Sequence, residues 1–209
     1  MYRIKGRRVV VIGGGEVACR KVKDLITAGA IVTVIAPHIG EDLSALTNDH
    51  SVTIVQRLYQ KGDCKGAALV FSATNNTEVN KQVFYEASEL NIPINAVDDP
   101  DNSTFYVPSF FTRGKLLVAV STGGASPAMA AKVRRIIEGV IPQDIEKALD
   151  ALTAIRKLLK EDFPHLNSNE RSTVLKTIAN DEHLIARAIA SYNNNTLHEL
   201  LNELMANKK

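Results

Sequence analysis

The sequence predicts an α/β fold in which a doubly wound parallel sheet is followed by a helical tail. Three observations support this prediction. An apolar, β-branched run at Val9–Ile12 leads directly into a glycine triplet, helical spacing follows, and a second apolar run begins at Ile31. This order of strand, turn, helix and strand indicates a βαβ unit, whose crossover is right-handed in nearly all known cases. Further apolar runs alternate with helical spacing as far as about residue 113, and helical spacing predominates after about residue 142.

The predicted elements follow from the spacing of apolar residues and from the turn residues between them. The spacing predicts strands at Val9–Ile12, Ile31–Ala36, Val52–Arg57, Ala67–Ala73, Ile92–Val97 and Leu116–Ser121. It predicts helices at Glu16–Ala30, Glu41–Asp49, Glu78–Leu90, Ala128–Glu138, Gln143–Lys160, Asn169–Asn180, Asp181–Tyr192 and Leu197–Met205.

Length and composition indicate an ordinary globular protein. The chain has 209 residues, of which 45% are hydrophobic and 23% are charged, and its formal net charge is +2. No apolar run approaches the roughly 18–20 residues that span a bilayer, and the amino terminus resembles a first strand more than a signal peptide. Cys19 and Cys64 are far apart and form no metal-ligand pattern. We therefore expect a cytoplasmic protein that binds neither nucleic acid nor a membrane.

The glycine turn has the spacing of a dinucleotide-binding fingerprint. Gly13, Gly15 and Ala18 occupy the three fingerprint positions, directly after a strand and at the start of a helix. Gly13 can adopt the positive φ of a tight turn, and Gly15 allows the backbone to approach a pyrophosphate. The helix that begins at Glu16 offers unpaired N–H groups and a partial positive charge to the phosphates. These features predict a Rossmann-like domain that binds a dinucleotide.

The position that usually selects the cofactor departs from the fingerprint. An Asp or Glu normally follows the second strand and binds the ribose hydroxyls, but Ala36, Pro37 and His38 stand here. Two interpretations remain open: NAD is held mainly by backbone groups, or NADP is admitted because no carboxylate repels its phosphate. His38 is not an arginine that would clamp a phosphate, and this favours NAD.

Polar residues follow two other predicted strands. Ser72–Asn76 ends the fourth strand, and Asp98 comes directly after the fifth. In parallel sheets, ligands bind at the carboxyl ends of the strands, so Asp98 is a candidate general base. The alternative is that Asp98 caps a turn before Pro100, because Asp-rich turns with proline are common. Asp99 and Asp101 are expected to solvate the loop.

Four motifs occurring in order resemble a known family. They are Gly13-Gly14-Gly15-Glu16-Val17-Ala18, Ala73-Thr74-Asn75-Asn76, Asn95-Ala96-Val97-Asp98 and Ser121-Thr122-Gly123-Gly124-Ala125-Ser126-Pro127. Over about the first two-thirds of the chain, the sequence resembles the precorrin-2 dehydrogenase/sirohydrochlorin ferrochelatase family, the amino-terminal module of siroheme synthase. The resemblance implies NAD-dependent oxidation of precorrin-2 to sirohydrochlorin on the route to sirohaem or cobalamin. It leaves open whether the chain also inserts ferrous iron to give sirohaem.

The resemblance also implies a domain organisation and site residues. A Rossmann-like NAD-binding domain is expected over residues 1–113, a segment that pairs across a homodimer over 114–142, and a carboxyl-terminal helical domain over 143–209. Asp98 would be the catalytic base. The tetrapyrrole carboxylates would contact cations between Arg113 and Arg135, including Arg113 and Lys132, with Ser126 near that site and also suited to cap a helix. The cofactor would contact Gly13, Gly14, Gly15, Glu16, Val17, Pro37, His38, Thr74 and Val97.

Two further expectations concern metals and rival functions. The histidines at 38, 50, 165, 183 and 198 lack metal-ligand spacing, so any iron would be held by the tetrapyrrole and not by a dedicated protein site. An alternative function is that of a regulatory domain that senses NAD without catalysis. Such a domain commonly has an acidic residue after the second strand and does not need Asp98 or the Ser121–Pro127 element.

Overall fold

The computed structural model describes residues 2–48, 51–97 and 99–206. The chain forms two compact units that divide between Val107 and Pro108. The predicted boundary at Arg113 falls later, inside a hairpin of the second unit, because Ser109–Arg113 pairs with Leu116–Val120.

The first unit is a parallel sheet whose strands are connected mostly by helices. Its five strands have the order β3-β2-β1-β4-β5, which is the doubly wound arrangement that the sequence predicts. The elements are β1 (Arg8–Ile12), α1 (Glu16–Thr27), β2 (Ile31–Ile35), α2 (Glu41–Ser44), the 3₁₀ turn Ala45–Asn48, β3 (Val52–Val55), β4 (Leu69–Ser72), α3 (Thr77–Glu89) and β5 (Ile94–Ala96). The last residue of the predicted helix Glu41–Asp49 lies outside the described residues.

Both faces of the sheet are covered, and this explains why its strands are apolar without alternation. On one face, Val9 and Val11 of β1 pack with Val22 of α1 in a single buried cluster. On the other face, Val10 of β1 packs with Val83 of α3 in a second cluster. Parallel strands that are buried on both sides require continuous runs such as Val9–Ile12.

Side-chain hydroxyls cover the outer edge of β5. The backbone N–H of Ile94 donates to Oγ1 of Thr104 at 2.9 Å, and the backbone N–H of Ala96 donates to Oγ of Ser103 at 2.9 Å. The N–H of Thr104 donates to the carbonyl of Ile94 at 2.8 Å. The segment after β5 therefore satisfies the donors that a further strand would satisfy.

The connection from β3 to β4 contains no helix, and a buried carboxylate anchors it. Glu86 of α3 is 4% exposed. It accepts hydrogen bonds from the hydroxyl of Tyr59 and, at 3.0 Å, from the backbone N–H of Cys64. Burial, with a further contribution from the Glu86 charge, raises the pKa of the Cys64 thiol to about 12. The carboxylate thus replaces water for two groups of the loop.

The second unit combines a hairpin with helices. It contains β6 (Ser109–Arg113), β7 (Leu116–Val120), α4 (Pro127–Val140), α5 (Ile145–Glu161), α6 (Ser168–Asn180), α7 (Glu182–Asn193) and α8 (Leu197–Ala206). The sequence does not predict β6. Its partner β7 is antiparallel to it and belongs to this hairpin, not to the parallel sheet.

The helices of the tail share one core. Ile155 and Leu159 of α5, Ile178 of α6, Ala188 of α7 and Leu201 of α8 are fully buried in one cluster. Each residue lies on the apolar stripe of its helix. The helical spacing of these apolar residues is the pattern that predicted the helices. Within the described ranges, no helix is long and apolar enough to cross a membrane.

The anchoring role of Glu86 predicts an effect on stability. Glu86→Ala leaves the Tyr59 hydroxyl and the Cys64 N–H without their acceptor, so we expect a loss of about 1–3 kcal/mol in the free energy of unfolding, measured by urea denaturation. The control is Glu89→Ala on the same helix, whose exposed ion pair with Lys61 should matter by no more than about 0.5 kcal/mol. Equal losses in the two variants would contradict this role.

Candidate functional site

A cavity of about 470 Å³ lies at the carboxyl end of the parallel sheet. It is lined by three chain segments that leave neighbouring strands: Gly13–Gly15 after β1, Ala36–His38 after β2 and Ala73–Asn76 after β4. Leu58 and Tyr59, which follow β3, and Val79 of α3 also line the cavity. The cavity is therefore built where doubly wound sheets bind ligands.

Two glycines of the turn are required by close backbone packing. Gly13 has a φ of +128°, and a Cβ added there would collide with the carbonyl of Ala73. A Cβ at Gly14 would collide with the carbonyl of His38. The backbone also holds these segments together, since the N–H of Gly13 donates to the carbonyl of Ile35 at 2.9 Å. The sequence analysis assigned no structural reason to Gly14, yet its packing is as tight as that of Gly13.

Gly15 is in a different environment from the other two. A Cβ there would meet no atom within 4 Å, and its φ of −87° suits any residue. It is the N-cap of α1, and no side chain caps this helix. The N–H groups of the first turn, at Glu16 and Val17, therefore lie beside the cavity wall without a capping side chain. Such a helix start favours an anion.

The polar segment after β4 is held in place by Asn80. Oδ1 of this buried residue accepts a hydrogen bond at 2.7 Å from each of the hydroxyls of Ser72 and Thr74. The Thr74 hydroxyl in turn accepts from the N–H of Asn76 at 3.1 Å, and the Asn76 side chain caps α3. The Thr74 hydroxyl is thus fixed at the cavity by a side chain from α3.

The wall beyond β2 and β3 contains apolar residues that the sequence analysis missed. Pro37 and His38 are exposed, and Nε2 of Gln56 donates to the carbonyl of Pro37 at 3.3 Å. Leu58 is 66% exposed although it is apolar. Tyr59 is fixed by Glu86, and burial together with this hydrogen bond raises the pKa of its hydroxyl. Because strand ends meet at one edge of a parallel sheet, the residues after β3 could have been assigned to the site from the sequence.

The segment after β5 contains the candidate base. The N–H of Val97 donates to the carbonyl of Ser72 at 2.9 Å, so Val97 directly follows the strand ladder but does not line the cavity. Asp98 lies outside the described residues. The carboxylate of Asp99 accepts from the side-chain amide of Asn102 at 2.6 Å, so Asp99 has a local structural role.

The candidate substrate residues Arg113 and Ser126 have structural contacts within the second unit. The guanidinium of Arg113 donates to the carbonyls of Ile141 at 2.6 Å and Pro142 at 2.9 Å, just beyond the end of α4. Ser126 is the N-cap of α4 and accepts from the N–H of Met129 at 3.2 Å, which confirms the predicted cap. Their substrate roles stay predictions.

The other cations near α4 differ in their contacts. Lys115 pairs with Asp150 at 2.8 Å, and Arg134 pairs with Glu138 at 2.5 Å. Lys132 is exposed and has no ion pair within the described residues. Residues 2–48, 51–97 and 99–206 contain no group of three His, Cys, Asp or Glu side chains that could hold a metal ion.

Comparison with known proteins identifies the family to which the chain belongs. Residues 1–109 match the family model described as "Putative NAD(P)-binding", and residues 113–139 match "Sirohaem biosynthesis protein central". The chain is 38% identical over 161 residues to the siroheme synthase of Methylobacillus flagellatus, covering 77% of this chain and 34% of the relative. It is 35% identical over 166 residues to a siroheme synthase of Pseudomonas putida, covering 79% and 36%. The chain thus spans about a third of the length of these curated relatives.

One solved structure is similar over nearly the whole chain. It is titled "SirC, precorrin-2 dehydrogenase", and it matches with a TM-score of 0.76 and 23% sequence identity over 99% of this chain and 98% of that chain. At this identity, the match supports the fold. The first family model covers more than half of the chain, and the second begins just beyond it. The chain belongs to the family described as "Putative NAD(P)-binding", and the resemblance to the siroheme synthase amino-terminal module is confirmed.

Proposed function

We propose that the chain oxidises precorrin-2 to sirohydrochlorin with NAD as hydride acceptor. The observation that carries the proposal is the cavity at the carboxyl end of the sheet, built around Gly13–Gly15 and the uncapped start of α1. The curated relatives are siroheme synthases, and the solved structure of the same fold is named a precorrin-2 dehydrogenase. These names support the choice of substrate.

The cofactor pyrophosphate is proposed to bind at Gly13–Gly15 and the first turn of α1. The N–H groups of Glu16 and Val17 supply donors there, while the helix dipole contributes a partial positive charge. The half-buried side chain of Val17 packs and does not contact phosphate in this proposal. Gly14 acts indirectly, because its lack of a side chain allows the His38 segment to close against the turn.

NAD is proposed in preference to NADP because of the composition of the wall. The residues that line the cavity include His38 but neither lysine nor arginine. A 2′-phosphate would therefore meet no fixed cation among them. The ribose is assigned to the Pro37–His38 segment, and the nicotinamide to the region of Thr74 and Val97, at the carboxyl ends of β4 and β5.

The chemistry requires a hydride acceptor and a base. Bound NAD supplies the acceptor, and the protein must orient the macrocycle and remove a proton. Oxidation of precorrin-2 transfers one hydride to the cofactor and one proton to a base, for which we propose the carboxylate of Asp98. The anionic side chains of the substrate are assigned to Arg113, Lys132 and Ser126, whose cations and hydroxyl suit carboxylates.

A homodimer is proposed from apolar residues exposed in the second unit. Phe110 of β6 and Leu117 of β7 are 39% and 42% exposed, and Ile136 of α4 is 58% exposed. Phe110 and Leu117 lie on the same face of the hairpin, because residues 110, 112, 117 and 119 alternate with the covered ones. A second copy of the chain would cover this face, as the resemblance implies.

A cytoplasmic location is also proposed, and the buried free thiols of Cys19 and Cys64 agree with it.

The assignment of the glycine turn predicts a selective loss of binding. Gly15→Ala places a methyl group in open space with an allowed φ, so stability should fall by no more than about 1 kcal/mol, the cost of alanine at an N-cap. The methyl group would obstruct the phosphates, and NAD affinity measured by calorimetry should fall about tenfold or more, which is about 1.4 kcal/mol. Gly139→Ala in α4 is the matched control and should leave affinity unchanged. Unaltered NAD affinity in Gly15→Ala would contradict the assignment.

The base role of Asp98 predicts a catalytic defect without a binding defect. The assay follows sirohydrochlorin formation from enzymatically generated precorrin-2 and NAD, with and without ferrous iron. Asp98→Ala should lower kcat about 100-fold or more with NAD affinity retained, whereas Asp101→Ala should keep full turnover.

The same assay separates the rival functions. Wild-type protein that binds NAD but gives no product above the spontaneous rate would support an NAD-sensing domain instead of a dehydrogenase. Faster iron insertion than in the protein-free control would add ferrochelatase activity, and an equal rate would exclude it. Full turnover in Asp98→Ala would disprove the base role alone.

The dimer proposal predicts a change of mass in solution. Leu117→Glu places a charge on the apolar hairpin face and should convert a dimer to a monomer, as measured by light scattering coupled to size-exclusion chromatography. Leu58→Glu, at an exposed leucine of the first unit, should leave the mass unchanged. A wild-type monomer, or a Leu117→Glu dimer, would contradict the proposed interface.

A further inference from the structure

Arg57 lies next to the proposed cofactor cavity, but its guanidinium pairs with Asp63. Val55 of β3 pairs with Ile35 of β2, so the residues that follow these two strands run side by side. The hydrogen bond from Gln56 to the carbonyl of Pro37 shows that they stay together beyond the sheet. Pro37 and Leu58 line the cavity, and Arg57 lies between Gln56 and Leu58 without lining it.

The guanidinium of Arg57 is occupied by Asp63. Nη1 donates to Oδ2 at 2.8 Å and Nη2 donates to Oδ1 at 2.6 Å, which is the two-point geometry of a strong ion pair. Nη1 also donates to the carbonyl of Leu58 at 2.9 Å. The Asp63 side chain is 10% exposed and accepts a further bond from the N–H of Gln60 at 2.8 Å, so the loop itself fixes the carboxylate.

The ion pair persists at neutral pH. The hydrogen bonds from Arg57 hold the pKa of the Asp63 carboxyl below its ordinary value, so Asp63 is ionised at neutral pH. The pair is therefore a neutral unit, and its positive member is not available to a second anion without loss of these bonds.

This arrangement bears on cofactor choice. NADP differs from NAD by a phosphate on the adenosine ribose, and an arginine near the end of the second strand is the usual group that accommodates it. In this chain the arginine comes from the neighbouring strand and is neutralised. We propose that Asp63 selects NAD over NADP by holding Arg57 away from the ribose 2′-position. The inference rests on the proposed function in one respect, namely that the cavity binds a dinucleotide.

Asp63 is thus a positioning residue that acts through Arg57. Removal of its charge should release a cation beside the ribose. In Asp63→Asn, we expect the affinity for NADP to rise about tenfold or more, while the affinity for NAD changes less than about threefold, because the pyrophosphate site at Gly13–Gly15 is unaltered. Both affinities are measured by calorimetry on the full chain, and circular dichroism checks the fold.

The double variant Arg57→Ala/Asp63→Asn is the matched control, because it removes the released cation. It should bind NADP as weakly as wild type does. Asp63→Glu keeps the charge and should keep the preference for NAD. Asp63→Ser is the second neutral variant, should the amide disturb the loop, since a serine hydroxyl can still accept from the N–H of Gln60.

The outcomes separate this inference from the proposed function. Unchanged NADP affinity in both folded neutral variants, or a gain that survives in the double variant, would overturn the role of Asp63 and leave NAD binding intact. Equal affinity of the wild type for NAD and NADP would do the same. Wild-type protein that binds neither dinucleotide would refute the cofactor assignment and, with it, the selection mechanism.

Discussion

The close approach of three backbone segments at Gly13 and Gly14 is the constraint on which the site depends. The carbonyls of Ala73 and His38 occupy the space that side chains at these two positions would need. The contact brings the ends of β2 and β4 against the turn after β1, and the cavity is the space that remains between them. Because the segments touch through main-chain atoms, their spacing cannot adjust through rotamer changes. A Cβ at Gly15 would face open space, and the position of Gly15 is determined by the packing of Gly13 and Gly14 that precede it.

The sequence allowed most of the parallel sheet to be predicted, since doubly buried strands produce continuous apolar runs and helices produce a different period. It also allowed the Ser126 cap and the glycine turn to be predicted, because both depend on local chemistry. It did not reveal β6, because apolar and polar residues alternate only weakly in that segment. The segment pairs with β7 across the turn at Gly114. Leu58 and Tyr59 follow β3 in an irregular loop, and only their position after a strand end indicates that they lie at the edge of the sheet. The anchoring of Tyr59 by Glu86, a residue distant in the sequence, is not indicated by any local pattern. The packing of Gly14 depends on the backbone carbonyl of His38, and no pattern of side chains in the sequence indicates that contact.

Charge is the property that the sequence describes least well. Arg57, Arg113, Lys115 and Arg134 all count as cations, yet each is engaged within its own unit by a carboxylate or by backbone carbonyls. Only the partners decide whether a cation is available to an anionic ligand, and partners such as Asp150 for Lys115 are distant in the chain. A net charge of +2 therefore conveys little about the local field at the cofactor or at the substrate.

The hydroxyls of Ser103 and Thr104 along β5 have a consequence for how the sheet meets other chains. An open strand edge is a template for the addition of foreign strands and a route to aggregation. Here the donors of Ile94 and Ala96 are already satisfied by side chains of the same unit. The parallel sheet consequently cannot be extended at β5 by a neighbouring molecule unless this segment first detaches. Replacement of both hydroxyls by alanine would leave the N–H groups of Ile94 and Ala96 without these acceptors, although the backbone bond from Thr104 to Ile94 would remain.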